Sequence, residues 1–154
     1  MCIRDRPYAA QDPTLLTWVH VTETLSFLDA WRRYGDPAMS LADQDRYFAE
    51  AAVIARMLGA TSVPTTRAET LAYIEETQPA LRADARTREV AALVLRQPTL
   101  TLEALPLEII QRAAVDLLPR WASRMHGLSA SGLSRPLVAN GTLALARTLR
   151  WAFR

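Results

Sequence analysis

Lysine is absent from the 154 residues, and cysteine, asparagine and glycine are scarce. All 18 basic residues are arginine, set against 16 acidic ones for a formal charge of +2. An excess that small leaves no electrostatic footprint for nucleic acid, and GC-rich codon usage alone favours arginine over lysine. No nucleic-acid partner is expected. Cys2 is the only thiol, which excludes disulfides and, from the rest of the chain, Cys-based metal sites and a cysteine nucleophile. The five glycines stand singly, so no phosphate-cradling loop exists. His20 and His126 are too far apart in sequence for any zinc-type spacing, and no metal site is expected. A Gly-x-Ser-x-Gly nucleophile motif is also missing. No apolar run approaches the roughly 18 residues of a membrane span, and the N-terminus has no apolar signal-peptide core.

What is present is half hydrophobic and 22% charged, a composition suited to a globular domain. The opening MCIRDR differs in character from the rest of the chain. It is what the DNA string ATG TGT ATA AGA GAC AG, the end of a transposase adapter used to make sequencing libraries, encodes. Residues 1–6 are therefore read as an adapter artefact, and 7–154 as the C-terminal part of one all-α domain truncated at its N-terminus. The expected location is the bacterial cytoplasm, with a lost N-terminal signal left open.

The elements read as helices throughout. Asp12-Pro13 is a helix start, and Thr14 to Tyr34 carries apolar residues on nearly every face before Gly35 stops it. Such a helix is expected to be central. Ser40 with Asp43 caps a second helix running to Gly59, and Thr66 with Glu69 caps a third. Pro79 separates that from a fourth, about Ala83 to Arg96, with arginines mostly on one face and Val90, Leu93 and Val94 on the other. A helix from about Pro106 meets Pro119, which must kink or restart it, and His126-Gly127 closes the restarted piece. Residues 132–136 read as a linker and Leu137 to Phe153 as a last amphipathic helix. The fold class is an all-α bundle or irregular α-array.

Few residues offer chemistry. His20 with Glu23 at i+3 and Thr24 at i+4 begins a polar stripe on the most apolar helix. Either these groups satisfy one another or they face a cavity. Trp18, Phe27, Trp31, Tyr34, Tyr47 and Phe48 come at helical spacing, which core packing explains; the alternative is the wall of an apolar or cofactor pocket. In the last helix Arg147, Arg150 and Arg154 alternate with Leu149, Trp151 and Phe153. That is a solvated face on a packed helix, or a weak membrane-surface contact through 137–154.

The linear order of these pieces resembles a known family. Tyr8-Ala-Ala-Gln-Asp12-Pro13, then Leu15, Leu16, Trp18, Val19 and His20, is followed by Leu58-Gly59-Ala60, Val63-Pro64 and a capped Leu71-Ala-Tyr73. Leu117-Leu118-Pro119, Arg120, Arg124 and His126-Gly127-Leu128 close the match. Together they resemble the MpaB-type oxygenases and the related rubber oxygenases called latex-clearing proteins, over about residues 7–128. The resemblance implies a haem-dependent, all-α oxidoreductase that acts on an apolar small molecule with O2 around haem b. It also implies that the axial histidine lies on a helix just before the Tyr8 turn, and so outside this chain. The chain by itself is then expected to be inactive, and His20 and Thr24 are assigned to the lining of the cofactor pocket, not to the iron. A haem-free alternative is an all-α small-molecule-binding module of the TetR effector-domain kind.

Overall fold

A computed structural model describes the backbone at residues 2–3, 6–7, 11–95, 105–128 and 140–144, and the side chains at 11–95, 109–128 and 140–144. Apart from a two-residue antiparallel pairing of β1 (Cys2–Ile3) with β2 (Arg6–Pro7), the described residues form an all-α array. They fall into two compact units, Met1–Arg32 with Ala38–Ala80, and Arg33–Pro37 with Leu81–Arg154.

The first unit is built on α1 (Pro13–Tyr34), α2 (Leu41–Met57) and α3 (Arg67–Thr77), with a single 3-10 turn at Gln78–Ala80. Asp12 starts α1 by accepting the backbone N–H of Thr14 at 2.9 Å, while Pro13 fills the first helical position where no donor is needed. Ser40 Oγ accepts from the Asp43 N–H at 3.1 Å, and Thr66 Oγ1 from the Glu69 N–H at 3.2 Å. The Glu69 carboxylate reaches back to Thr65, taking both its N–H and its hydroxyl. The Glu69 N–H, an orphan donor of α3, and the Thr65 N–H just before the cap are thus both satisfied. Gly59, at φ +100°, reverses the chain after α2 and lets the Ala60 N–H bond back to Ala55 O.

Small side chains set the spacing of these helices. Ala52, Ala55, Ala60 and Val63 form a buried cluster against which Leu16 packs, and Phe48, Leu28 and Val21 complete the core. Burying a side chain the size of Phe48 contributes about 2–3 kcal/mol. The Tyr47 hydroxyl donates to Thr24 O at 3.3 Å, tying α2 to α1, and Asp45 Oδ1 accepts the Arg67 N–H at 2.8 Å, tying α2 to α3. Trp18 and Tyr73 meet at a centroid separation of 6.5 Å, joining α1 to α3.

The second unit holds α4 (Ala85–Leu95), α5 (Leu105–Leu117) and α6 (Arg120–His126). Asp84 caps α4 through the Thr87 N–H and hydroxyl. Pro119 restarts the chain as α6, and Gly127 closes it in the left-handed region at φ +68°. In α5 Ala113 is buried. Residues 140–144 are helical, and Gly141 there lies against Ile109 of α5. The rest of the expected Leu137–Phe153 helix, and the 132–136 linker, lie outside the described residues.

One sequence expectation is corrected. It concerns α1, which is not wrapped on all sides: it buries Thr17, Val21, Thr24 and Leu28, while Leu15, Val19, Phe27 and Trp31 are exposed. The buried set recurs at i, i+4, i+7 and i+11 and forms one stripe, and hydroxyls enter it because each bonds a carbonyl of its own helix. In α4, whose burial the sequence leaves open, Val90, Leu93 and Val94 are exposed and no residue of the helix is buried.

Candidate functional site

The exposed side of α1 is where chemistry-bearing and apolar residues coincide. His20, Glu23, Phe27 and Trp31 occur in turn at i, i+3, i+7 and i+11, so they share a face, with Val19 beside them. Phe27 is 62% and Trp31 52% exposed, large for aromatic side chains in a helix that also has a packed stripe. Phe48, by contrast, is 2% exposed, and Trp18, Tyr34 and Tyr47 are half-buried. The aromatic series therefore divides between core and open face.

His20 is half-buried on that face. Burial holds its imidazole below the ordinary histidine value, and the neighbouring Glu23 carboxylate pulls in the opposite direction without overcoming it. The ring is neutral at pH 7, able to donate from one nitrogen and accept at the other. Glu23 itself is exposed.

Thr24 is placed differently. It is buried in the stripe, and its hydroxyl bonds the His20 carbonyl oxygen at 2.8 Å. Its own carbonyl accepts from Tyr47. The structure thus joins His20 and Thr24 through the helix backbone, one on the open face and one behind it, and the polar stripe is not a closed mutual network. His126 ends α6 beside Gly127, with Nδ1 buried and without a hydrogen-bond partner.

Sequence reasoning passed over a second group on another side of α1. Asp29 and Arg32 lie one turn apart, with Asp29 Oδ1 4.0 Å from Arg32 Nη1, and Arg67 of α3 also acts on the Asp29 carboxylate. Burial raises the Asp29 carboxyl above its usual range in spite of both arginines. The i, i+3 charge pair was a visible signal for Asp29 and Arg32; nothing local points to Arg67.

Among the described residues no three His, Cys, Asp or Glu side chains come together as a metal-holding group, and no helix is long and apolar enough to cross a membrane. A family model described as ER-bound oxygenase mpaB/B'/Rubber oxygenase, catalytic domain, matches residues 3–151. No curated protein and no solved structure matches the chain.

Proposed function

The chain belongs to the family of mpaB-type and rubber oxygenase catalytic domains, and from that membership we propose that it is part of a haem-dependent oxygenase acting on an apolar small molecule with O2. The observation that carries the reading is the family match combined with the aromatic face that α1 leaves open on the side away from its packed stripe. The helical effector-binding alternative gains nothing from that match.

Haem b is compatible with the donor chemistry of this face: a neutral imidazole at His20 set among Val19, Phe27 and Trp31. Val19, Phe27 and Trp31 would hold the group by apolar contact, with the His20 ring beside them. When bound, haem supplies the site at which O2 is activated. The chain's own residues do the rest. Phe27 and Trp31 bind the apolar substrate and exclude water, and His20 offers one ring nitrogen as acceptor and the other as donor at the pocket wall. Partners are the substrate and O2, with no nucleic acid, and a weak membrane-surface contact through 137–154. The location that goes with this reading is a bacterial cytoplasm.

The test uses the protein made from the whole reading frame, recovered by sequencing the source DNA across the Pro7 codon. We expect a Soret band and a b-type haemochrome from that protein, oxygen uptake with apolar substrates, and neither uptake nor tight haem binding from residues 7–154. Whole-frame protein that neither purifies with haem nor takes it up would overturn the haem reading.

A further inference from the structure

The open side of α1 is not uniformly apolar. A ridge at i+4 intervals runs through Leu15, Val19, Glu23, Phe27 and Trp31, and all five are exposed. Its middle member is a carboxylate and the others are hydrophobic. His20 stands one turn before Glu23 on the same side of the helix, close enough for the carboxylate to act on its ring. Among the described residues no arginine forms an ion pair with Glu23. The face therefore has one uncompensated negative charge, with a neutral imidazole beside it and two large aromatics beyond it.

Helix geometry sets the distances. At the usual rise per residue, Phe27 stands about 6 Å and Trp31 about 12 Å along the axis from Glu23. A molecule lying over both aromatics thus brings one end to the level of Glu23 and His20, and the donors and acceptors there limit what that end can be. The imidazole offers one donor and one acceptor, while the carboxylate only accepts. A plain hydrocarbon would cover both groups and pair neither. An anionic end meets Glu23 with like charge, and an ether or ketone has nothing to donate to it. An ammonium donates to Glu23 but cannot accept from the ring, and an exposed ion pair adds little. A hydroxyl satisfies both, donating to the carboxylate and accepting from the imidazole N–H. We propose that this face takes an uncharged alcohol, with its hydroxyl at Glu23 and His20 and its apolar body along Phe27 and Trp31. The assignment rests on reading the face as an apolar-substrate site, and it narrows the class of substrate.

The test compares four probes of similar length on the full chain at neutral pH: 1-decanol, decanoate, decylammonium and nonyl methyl ether, each kept below its solubility or micelle limit. Equilibrium dialysis gives the affinities, and the NMR signals of the His20 ring report where the head group sits. 1-Decanol is expected to bind about tenfold more tightly than the other three, the worth of one hydrogen bond to a charged group, and to shift the ring signals. Glu23→Gln removes the charge from an exposed position and leaves the fold intact, so the preference for decanol over decanoate should fall severalfold. Phe27→Gln with Trp31→Gln should weaken decanol and the ether alike. An ether that binds as tightly as decanol, tighter binding of decylammonium, or a decanol preference unchanged in Glu23→Gln overturns the alcohol assignment and leaves the apolar site standing. If no probe binds saturably, the ether included, the apolar-site reading falls with it.

Discussion

The hydroxyl of Thr17 lies 2.7 Å from the backbone oxygen of Thr61, 44 residues on in sequence, and 2.8 Å from the Pro13 oxygen of its own helix. One proton is shared between a helical carbonyl and the loop after α2, in a residue only 3% exposed. Thr17→Val keeps the shape and removes the donor. It is expected to lower stability by about 0.5–1.5 kcal/mol, the usual net contribution of one hydrogen bond. Thr17→Ser is expected to retain most of it, and urea unfolding of the two variants separates the hydroxyl from the methyl.

Ala52 is fully buried where Ala52 and Ala55 of α2 meet Ala60, Val63 and Leu16. Its lack of a larger side chain is what lets the elements approach. Ala52→Leu is expected to cost about 1–3 kcal/mol through overpacking. Ala49→Leu, on the exposed side of the same helix, should stay within about 0.5 kcal/mol of the parent. Thermal midpoints of the two variants check this, and equal values would mean that the cluster is not the close-packed seam of this unit.

Helix ends are legible in this sequence because their chemistry is local. Asp12, Ser40 and Thr66 announce helices, and each accepts a backbone N–H two or three residues on. Pro119 and Gly127 likewise end one helix and close the next. Which face is covered is less legible, because α1 offers apolar residues all round and only packing decides among them. Thr24 shows the difficulty: as a polar residue beside His20 it looks like part of a pocket, yet its hydroxyl bonds its own helix and leaves it in the buried stripe. The Arg67 contribution to Asp29 is invisible in sequence, since it depends on where α3 lands against α1. His20 is legible as a candidate, and its neutral state emerges only once its burial is known.

That state has a pH signature. The His20 pKa is depressed in the fold by burial, with Glu23 opposing. The unfolded chain therefore takes up a proton near pH 6.5 that the folded chain refuses, so the associated stability is complete above that pH and lost as pH falls through the folded value. A thermal midpoint that declines below about pH 6.5, and declines less in His20→Gln, is the expected result. NMR titration of the ring gives an independent measure. Glu23→Gln removes the opposing influence and should lower the His20 midpoint further; an upward move would mean that the carboxylate is not the group acting on the ring.

The open face of α1 makes a prediction that separates stability from binding. Phe27 and Trp31 are more than half exposed, so replacing them removes little buried area, and Phe27→Gln with Trp31→Gln should leave the unfolding midpoint nearly unchanged. The same pair of changes removes the largest apolar surface on that face. Binding of a hydrophobic dye, and aggregation on concentration, should both fall. The double variant should also bind apolar substrate more weakly while its far-UV spectrum stays that of the parent. A double variant that unfolds instead would show that these aromatics are covered in the intact protein and act as core. Loss of binding with folding retained is what a pocket wall requires, because only a wall can be stripped of its aromatics without disturbing the stripe of Thr17, Val21, Thr24 and Leu28 behind it.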